Sequence, residues 1–368
     1  MKVQHKFVFA AEEECADSIS IQYTDCYSMD RGYGFKQATS LSTNEDLRLS
    51  LPGEYVQPAV PTLLVDVPYG NYRVSICFGD QEKSTETTVL TSIGSLMLDR
   101  IQTLPGQFLE EEFAVHVDDG QLKLAFAGQS PSVRSIAINR DASIRTMFLI
   151  GDSTVTDQPA GKYPYTGWGQ GIGQFFTADI AVVNYARSGA SSKSFMEQDR
   201  YLKVQSRLRS SDYVIIQFAH NDEKDNDGGT EPYSSYQQFL REYINSARSC
   251  GAVPLLVTPM HRRVFDERGE IQDTHGQYSE AMRKLAADEG VTLLDLAAKS
   301  KQLFEASGEE GTKEIFLWAE PGAYPTLPSG AADNTHFSRH GGMEIARLVA
   351  DCVRDSAFLP LARFLRDR

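Results

Sequence analysis

From about residue 146 onward, short apolar runs alternate with amphipathic helical segments, and this alternation constrains the fold more than any other feature of the chain. The predicted strands are Met147–Ile150, Ile180–Val183, Tyr213–Phe218, Val253–Val257 and Val291–Leu294. Three further stretches place apolar residues at helical spacing. Their apolar faces are Phe239, Leu240, Tyr243, Ile244 and Ala247; Tyr278, Ala281, Met282, Leu285 and Ala286; and Ile345, Leu348, Val349, Cys352 and Val353. The pattern predicts a parallel sheet covered by helices on both faces.

The first 143 residues instead read as many short strands, with no sustained helical period. The predicted strands include Pro61–Val67, Tyr72–Phe78, Thr87–Ser92, Phe113–Val117, Leu122–Phe126 and Ser135–Asn139. Between Phe113–Val117 and Leu122–Phe126, the pair Asp119-Gly120 predicts a hairpin, because a type I′ turn needs residues that tolerate positive φ. We therefore expect an all-β sandwich over residues 1–143, a short linker at Asp141–Arg145, and a second domain over residues 146–368.

Charge and hydropathy exclude several classes of partner. The formal net charge of −14 gives no positive field that would attract nucleic acid or an anionic membrane, so we expect neither as a partner. No apolar stretch approaches the roughly 18 residues that span a bilayer, so a soluble protein is expected. An anionic substrate would have to be met by local Arg or Lys. The sequence indicates no oligomeric state.

The N-terminus and the cysteines bear on the compartment. Met1–Ala11 is positively charged but has too few apolar residues before an acidic run for a signal peptide. The cysteines are odd in number and widely spread, and none forms a CxxC pair, which is typical of reduced thiols rather than disulfides or zinc ligands. They are Cys15, Cys26, Cys77, Cys250 and Cys352. We expect a cytoplasmic protein, or a secreted one whose signal peptide has been removed.

A nucleophile candidate follows the first strand of the predicted parallel sheet. Met147–Ile150 leads into Gly151-Asp-Ser153, and the carboxyl ends of parallel strands are where such sheets present catalytic groups. Ser153 is therefore the candidate. The tripeptide alone is weak support, since it also occurs as an ordinary turn.

A serine needs a base that is itself oriented, and His336 is the informative histidine. It lies with Asp333 in what we expect to be one short loop before the last helix. The three-residue spacing allows the carboxylate to reach Nδ1 and leaves Nε2 free to take a proton from Ser153. Alternatively, the two residues cap the start of the helix.

Oxyanion donors are expected after the next two strands. Gly189 follows the second strand, where a glycine lets backbone N–H groups approach a ligand closely. Asn221 follows the third strand and offers a side-chain amide. Each is an ordinary turn residue when taken alone. As an ordered set with Ser153, Asp333 and His336, however, one edge of a single sheet would gather them.

These residues resemble the SGNH hydrolases, and within them the rhamnogalacturonan acetylesterase-like group. The four blocks of that family correspond here to Gly151–Thr154, Gly189, Asn221 and Asp333–His336. The closer resemblance lies in the longer motifs, which are Ala186–Phe195, Val257–Arg263 and Asp333–Phe337. The match covers roughly residues 146–355. The preceding strands are similar to the galactose-binding-like N-terminal domain of some bacterial members.

The resemblance implies a flavodoxin-like three-layer α/β/α domain with a Ser–His–Asp triad. Ser153 would be the nucleophile, His336 the base and Asp333 its orienting acid. The N–H groups of Ser153 and Gly189 and the Asn221 amide would hold the oxyanion. One departure is Ala219, where such sequences usually have Gly; its methyl group would press on the loop that holds Asn221.

Substrate-binding candidates are less specific. Trp168 is a candidate sugar platform or a core residue, and His220 adjoins Asn221. Arg262 and Arg263 are expected either to meet a galacturonate carboxylate or to form surface ion pairs. Asp152 and Asp157 flank the serine and are an alternative carboxylate pair of the glycosidase type. That mechanism would leave Ser153 and His336 without a role.

No metal or other cofactor is expected. The acidic loop 221–229 does not fit a calcium loop, because Glu223 and Ser234 would occupy positions that require Asp and Glu. The resemblance implies a carbohydrate O-acetylesterase, most simply one acting on acetylated pectic rhamnogalacturonan oligosaccharides or polysaccharides. The alternatives are a lipase or acyl-thioesterase of the same fold and a non-catalytic carbohydrate-binding protein.

Overall fold

The computed structural model describes residues 5–9, 18–36, 60–92, 94–356 and 358–367. Cys15 and most of the N-terminal segment considered above lie outside these ranges. The chain divides into two compact units. The first comprises Met1–Ile144, Pro159–Gly161 and Phe176–Ala181, and the second comprises Arg145–Gln158, Lys162–Phe175 and Val182–Arg368.

The described part of the first unit is built from ten strands. They are β1 (His5–Val8), β2 (Ile19–Ser20), β3 (Tyr33–Phe35), β4 (Thr62–Asp66), β5 (Gly70–Phe78), β6 (Thr85–Thr91), β7 (Ser95–Thr103), β8 (Leu109–Val117), β9 (Gln121–Ser130) and β10 (Val133–Arg140). One sheet has the order β2-β1-β10-β5-β8 and the other β3-β4-β9-β6-β7. Alternating residues of both sheets, such as Val74 and Ile76 of β5 and Leu122 and Leu124 of β9, share one hydrophobic core.

Strands are present at all six positions predicted in this unit. The prediction did not include the short strands β1, β2 and β3, and it missed the longer strand β7. Its residues do not alternate strictly between buried and exposed, because Arg100 has a φ of 47° and the pairing register with β6 shifts. Such a bulge breaks the period of two on which strand prediction rests.

The predicted hairpin at Asp119-Gly120 is wrong. Strand β8 pairs with β5 in one sheet, whereas β9 pairs with β4 and β6 in the other, so the turn crosses between sheets. Gly120 does adopt a positive φ of 83°, and Asp119 accepts a hydrogen bond from the N–H of Gln121. Asp119, however, lacks the positive φ that a type I′ turn also needs, so the predicted turn type is wrong as well.

The described residues of the second unit form seven strands and seven α-helices. The strands are β11 (Arg145–Gly151), β12 (Ile180–Asn184), β13 (Tyr213–Gln217), β14 (Val253–Val257), β15 (Thr292–Leu294), β16 (Phe316–Ala319) and β17 (Ala331–Phe337). The helices are α1 (Ser192–Glu197), α2 (Arg200–Gln205), α3 (Gln237–Ser249), α4 (Tyr278–Glu289), α5 (Leu296–Ile315), α6 (Arg339–Asp355) and α7 (Leu359–Ala362). A π-helical turn, Pro232–Tyr236, precedes α3.

The main sheet of this unit has the order β12-β11-β13-β14-β15, and β11, β13, β14 and β15 pair in parallel. This is the flavodoxin-like order, in which β11 and β13 flank the switch point where ligands bind. The prediction of an α/β fold with a parallel sheet is confirmed. The three predicted helical faces lie in α3, α4 and α6, and every residue named for them is buried except Phe239, which is half-buried.

The sequence reading missed α5 and the two-stranded sheet β16-β17. Helix α5 contains Gly308, whose φ of 68° and ψ of 176° interrupt the helical period. Asp333 and His336 do not lie in a loop as expected but in β17, which pairs antiparallel with β16. None of the helices in the described ranges combines the length and apolar character needed to cross a membrane.

Candidate active site

Ser153 lies two residues beyond the end of β11, in a turn that its neighbours hold tightly. A Cβ on Gly151 would lie 2.6 Å from both the Gln217 carbonyl oxygen and Cγ2 of Val155, so only glycine fits. The Asp152 carboxylate accepts hydrogen bonds from the backbone N–H and the hydroxyl of Thr154, at 2.8 and 2.7 Å. These contacts place Ser153 at the carboxyl edge of the parallel sheet.

The structure brings Ser153, His336 and Asp333 into one hydrogen-bonded chain. Ser153 Oγ is 2.9 Å from His336 Nε2, and His336 Nδ1 is 2.7 Å from Asp333 Oδ2. The N–H groups of Thr335 and His336 donate to Asp333 Oδ1 at 2.7 and 3.0 Å. The carboxylate therefore fixes the ring orientation and leaves Nε2 facing the serine hydroxyl.

Asp333 is held in its ionised form. Partial burial acts to raise the pKa of its carboxyl group, but hydrogen bonds from the His336 ring and from the N–H groups of His336 and Thr335 outweigh it. The pKa of Asp333 is lowered to about 2. An anion at this position stabilises the imidazolium that forms when His336 takes a proton.

Three unpaired N–H donors lie on the loops around Ser153. Among the contacts of the described residues, the backbone N–H groups of Ser153 and Gly189 have no protein acceptor. Asn221 uses one hydrogen of Nδ2 in a 2.9 Å bond to the Ala190 carbonyl oxygen, which leaves the other free. Ser153 is only 7% exposed, so a buried N–H there has few partners other than a ligand.

The Gly189 and Asn221 loops are fastened to each other through Asp222. Its carboxylate accepts from the Ser192 N–H at 3.0 and 3.1 Å and also from the hydroxyl groups of Ser192 and Thr230. Burial raises the pKa of Asp222 to about 7, against the opposing effect of these hydrogen bonds. The spacing between Gly189 and Asn221 is thereby fixed.

A series of buried hydrogen bonds, which the sequence did not predict, holds the turn that carries Ser153. Trp168 Nε1 donates to Gln217 Oε1 at 2.8 Å, and Gln217 Nε2 donates to Thr154 Oγ1 at 2.8 Å. The chain continues from the Thr154 hydroxyl to Asp152. Trp168 is fully buried, so its prediction as a sugar platform is wrong, and its alternative as a core residue is the one observed.

His220 also lies behind the serine turn and not at its surface. It is 3% exposed, with Nδ1 3.3 Å from Asp152 Oδ2, and its ring packs edge-on against His275 at a centroid distance of 4.5 Å. Burial lowers the pKa of His220 to about 4, against the attraction of Asp152. His220 is therefore neutral near pH 7, and in this structure it is too buried to meet a sugar. Its neighbour Ala219 is fully buried in the hydrophobic core.

The two arginines after β14 are engaged with protein groups. Arg262 forms an ion pair with Glu223 and donates to Thr274 Oγ1 at 3.0 Å. Arg263 is 5% exposed, donates to Thr312 Oγ1 and to the Glu309 carbonyl oxygen, and lies over the Trp318 ring at 4.7 Å. Neither is an exposed surface ion pair, and Arg263 is too buried to face a substrate carboxylate.

Two residues beside the nucleophile gave no signal in the sequence. The Tyr165 ring lies edge-on to His336 at 4.8 Å, and its hydroxyl interacts with Ser153 and Ser188. Burial raises the pKa of Tyr165 well above its usual value, so the phenol is neutral. Gln158 Nε2 lies 3.3 Å from both the Ser153 carbonyl oxygen and Ser188 Oγ. Neither residue follows a strand or shows a spacing that points to Ser153.

Over the described part of the chain, no three His, Cys, Asp or Glu side chains converge in a way that would hold a metal ion. In the acidic loop, Glu223 is bound by Arg262 and His275.

A hydroxyl, an imidazole and a carboxylate joined in this order can form an acyl-enzyme and then hydrolyse it. With unpaired N–H donors nearby and a parallel sheet beneath, the fold and the site have the arrangement of a hydrolase of the α/β class. Residues 149–341 match the model of the GDSL-like lipase/acylhydrolase family. The chain belongs to this family, and it is a carboxylic ester hydrolase. Its resemblance to the rhamnogalacturonan acetylesterase-like group of SGNH hydrolases is confirmed.

Two relatives each match more than half of this chain. The chain is 46% identical over 222 residues to rhamnogalacturonan acetylesterase RhgT of Bacillus subtilis, a match that spans 60% of this chain and 94% of RhgT. It is 37% identical over 217 residues to a probable rhamnogalacturonan acetylesterase, YesY, of the same organism, spanning 58% of this chain and 94% of YesY.

A solved structure resembles the whole chain. The protein YXIM from Bacillus subtilis aligns with 97% of this chain and 99% of its own length, with a TM-score of 0.54 and 23% identity. At that identity the likeness concerns the fold alone. It extends over the first unit as well as the second.

Proposed function

We propose that the protein removes O-acetyl groups from acetylated pectic rhamnogalacturonan through an acetyl-enzyme intermediate. The proposed roles are Ser153 as nucleophile, His336 as general base and acid, and Asp333 as the acid that orients His336. The observation that carries the proposal is the Ser153–His336–Asp333 hydrogen-bond chain, in a protein that is 46% identical over 222 residues to a rhamnogalacturonan acetylesterase.

In the first half of the reaction, Ser153 Oγ would attack the acetyl carbonyl carbon while its proton passes to His336 Nε2. The tetrahedral intermediate places a negative charge on the former carbonyl oxygen. Its proposed donors are the N–H groups of Ser153 and Gly189 and the free hydrogen of Asn221 Nδ2. Preorganised donors of this kind cost no reorganisation when the charge develops.

In the second half, the imidazolium would return its proton to the leaving sugar hydroxyl, and the carbon–oxygen bond to the sugar would break. A water molecule, deprotonated by His336, would then attack the acetyl-enzyme and release acetate. Asp333 remains ionised throughout, which its low pKa supports.

The relatives favour a carbohydrate acetylesterase over the other expected functions. Both Bacillus relatives described above are named as rhamnogalacturonan acetylesterases, whereas a lipase or acyl-thioesterase is not favoured by either. A non-catalytic carbohydrate-binding protein would have no use for a hydroxyl, imidazole and carboxylate at hydrogen-bonding distances.

For the first unit we propose a galactose-binding-like β-sandwich, with domain limits at residues 1–143 and 146–368. Two five-stranded sheets around one core support the architecture, and a sugar-binding role fits a polysaccharide substrate. Affinity electrophoresis of the Ser153→Ala protein in gels containing rhamnogalacturonan tests the role. Mobility equal to that in a plain gel would assign the sandwich a structural role instead.

We propose a cytoplasmic location. Support comes from Cys26, Cys250 and Cys352, which form no disulfide among the described residues. Fractionation of the source cells tests this location, and recovery of the protein mainly from the medium would contradict it.

The decisive experiment compares acetate release by the wild type and by Ser153→Ala on a panel of acetylated rhamnogalacturonan, xylan and small acetyl esters. We expect the highest kcat/KM on rhamnogalacturonan. The variant should lose at least on the order of 10⁴-fold in kcat on every substrate, with an unchanged Tm. Ser206→Ala, which alters an exposed serine on α2's C-terminal side, is the matched control. Near-normal turnover by Ser153→Ala would refute the triad, and a preference for xylan would refute the substrate assignment alone.

A further inference from the structure

The amide of Asn221 is held from both ends. Its Nδ2 donates to the Ala190 carbonyl oxygen at 2.9 Å. Its Oδ1 accepts a hydrogen bond from the ammonium group of Lys224, with Nζ at 2.7 Å. One partner is a pure acceptor and the other a pure donor, so the two contacts together define which end of the amide faces which way.

A carboxamide that turned by 180° about its Cβ–Cγ bond would lose both contacts. Oδ1 would then face the Ala190 carbonyl oxygen, and the Nδ2 hydrogens would face an ammonium group. Both contacts in the turned state are repulsive, and the oxyanion would meet a lone pair instead of an N–H. Ala190 opposes this rotation at one end of the amide, and Lys224 opposes it at the other.

We propose that Lys224 is a positioning residue of the oxyanion site, which fixes the Asn221 amide with its free N–H directed at the reacting carbonyl. This inference rests on the oxyanion role proposed for Asn221 above. Lys224 does not touch the substrate in this scheme. It acts through the amide that it holds.

The loop presents Lys224 for this task. The Lys224 N–H lies 3.4 Å from the Asn221 carbonyl oxygen, so the backbone turns and the lysine side chain reaches back over the asparagine. Although the loop contains Asp222, Glu223, Asp225 and Asp227, Lys224 forms no ion pair among the described residues. Its ammonium group instead donates to a neutral amide. Attraction between surface charges does not explain this choice of partner.

The contact also has an electronic consequence. A cation bonded to the carbonyl oxygen of an amide draws electron density away from its nitrogen, so the remaining N–H becomes a stronger donor. Lys224 thereby contributes to the stabilisation of negative charge on the oxyanion without a direct contact.

The test uses Lys224→Met, which keeps the length of the side chain and removes the donor and the charge. On a neutral substrate such as p-nitrophenyl acetate, we expect kcat to fall about tenfold while KM changes by less than about twofold. Lys224→Arg should recover most of the loss, because a guanidinium also donates to an amide oxygen. Lys284→Met is the matched control, since Lys284 is an exposed lysine of α4 whose partner is Asp288.

A double-mutant cycle with Asn221→Ala then separates positioning from any independent role. If Lys224 acts through the amide, Lys224→Met should cost less than about twofold in the Asn221→Ala background. A full tenfold loss in that background overturns the inference. So does a Lys224→Met enzyme that has normal kcat on the neutral ester but a raised KM on uronate-containing substrates, which would make Lys224 a substrate contact.

The single Asn221→Ala variant distinguishes this inference from the proposed function. A loss on the order of 10²–10³ in kcat supports the oxyanion role of Asn221. If that loss is found and Lys224→Met equals the wild type, only the positioning role fails. If Asn221→Ala stays within about threefold of the wild type, the oxyanion role itself is refuted and the positioning role falls with it.

Discussion

The two sides of Ser153 differ sharply in their access to solvent. On the open side, the side chains of His336 and Asp333 are 29% and 34% exposed. On the buried side, Asp152, Thr154 and Gln217 are all at 0%. A group that exchanges protons with a substrate and water, as proposed for His336, has to be reachable, and Asp333 lies beside it. Groups that only hold a turn gain from a low dielectric, in which hydrogen bonds are stronger. We therefore expect substitutions on the open side to lower mainly kcat, and substitutions on the buried side to lower mainly the free energy of unfolding.

The largest effect should come from the open side. Asp333→Asn removes the anion beside Nδ1 and favours the wrong imidazole tautomer, so we expect kcat to fall on the order of 10⁴-fold with the fold intact. Steady-state kinetics on a small acetyl ester measure this effect, with Asp288→Asn as a surface control. A loss below about tenfold would mean that His336 does not depend on Asp333.

An intermediate effect should come from the buried side, and mainly in stability. Thr154→Val keeps the shape but removes the hydroxyl between Gln217 and Asp152, which leaves two buried polar groups short of a partner. We expect the free energy of unfolding to fall by about 2–4 kcal/mol and kcat by less than about tenfold. Urea denaturation provides the measurement. Thr292→Val in β15 is the control, because the Thr292 hydroxyl has no hydrogen bond among the described contacts. Equal free energies of unfolding for Thr154→Val and Thr292→Val would show that the hydrogen bonds through Thr154 do not stabilise the turn.

The smallest expected effect concerns the dependence of stability on pH. His220 and Asp333 should each change the stability over a different pH range. His220 has a lowered pKa of about 4, so the unfolded state binds its proton first, and stability should decline as the pH falls from about 6.5 toward 4. Asp333 has a lowered pKa of about 2, so its stabilising charge is present above about pH 4 and is lost as the pH falls toward 2. The groups facing His220 are Asp152, His275 and Arg262.

Thermal unfolding between pH 7 and pH 2.5 tests this separation. His220→Gln should flatten the Tm profile between about pH 6.5 and 4, and Asp333→Asn should flatten it only below about pH 4. If the Tm of His220→Gln depends on pH between about 6.5 and 4 as strongly as that of the wild type, His220 does not have the lowered pKa that its burial implies.

Much of the second unit was readable from the sequence, because its signals are local. The five strands of the main sheet appear as apolar runs, and Ser153, Gly189 and Asn221 each follow one of them. Parallel strands carry their carboxyl ends to one edge, so position in the chain was enough to place these three residues there. His336 and Asp333 were read from their spacing, although the strand that carries them was missed.

The wrong predictions concern features that depend on contacts between segments far apart in the sequence. The alternation of β9 was read correctly, but its partners are β4 and β6, which local turn chemistry at Asp119-Gly120 cannot select. Arg263 was expected to meet a galacturonate carboxylate or to form a surface ion pair. It is instead buried against Trp318 and Thr312, because the sequence did not predict α5 and β16. A side chain's exposure depends on every element that packs against it.

The sequence by itself determined the parallel α/β architecture, the nucleophile candidate and its partners, because hydrophobic periodicity and the succession of strands and helices along the chain are properties of neighbouring residues. Only the tertiary structure decided which side chains support them. The chain from Trp168 through Gln217 and Thr154 to Asp152, and the grip of Lys224 on Asn221, join groups by hydrogen bonds of about 3 Å or less. Hydrogen bonds depend on distance and angle within a fraction of an ångström, and spacing along the chain does not encode that geometry.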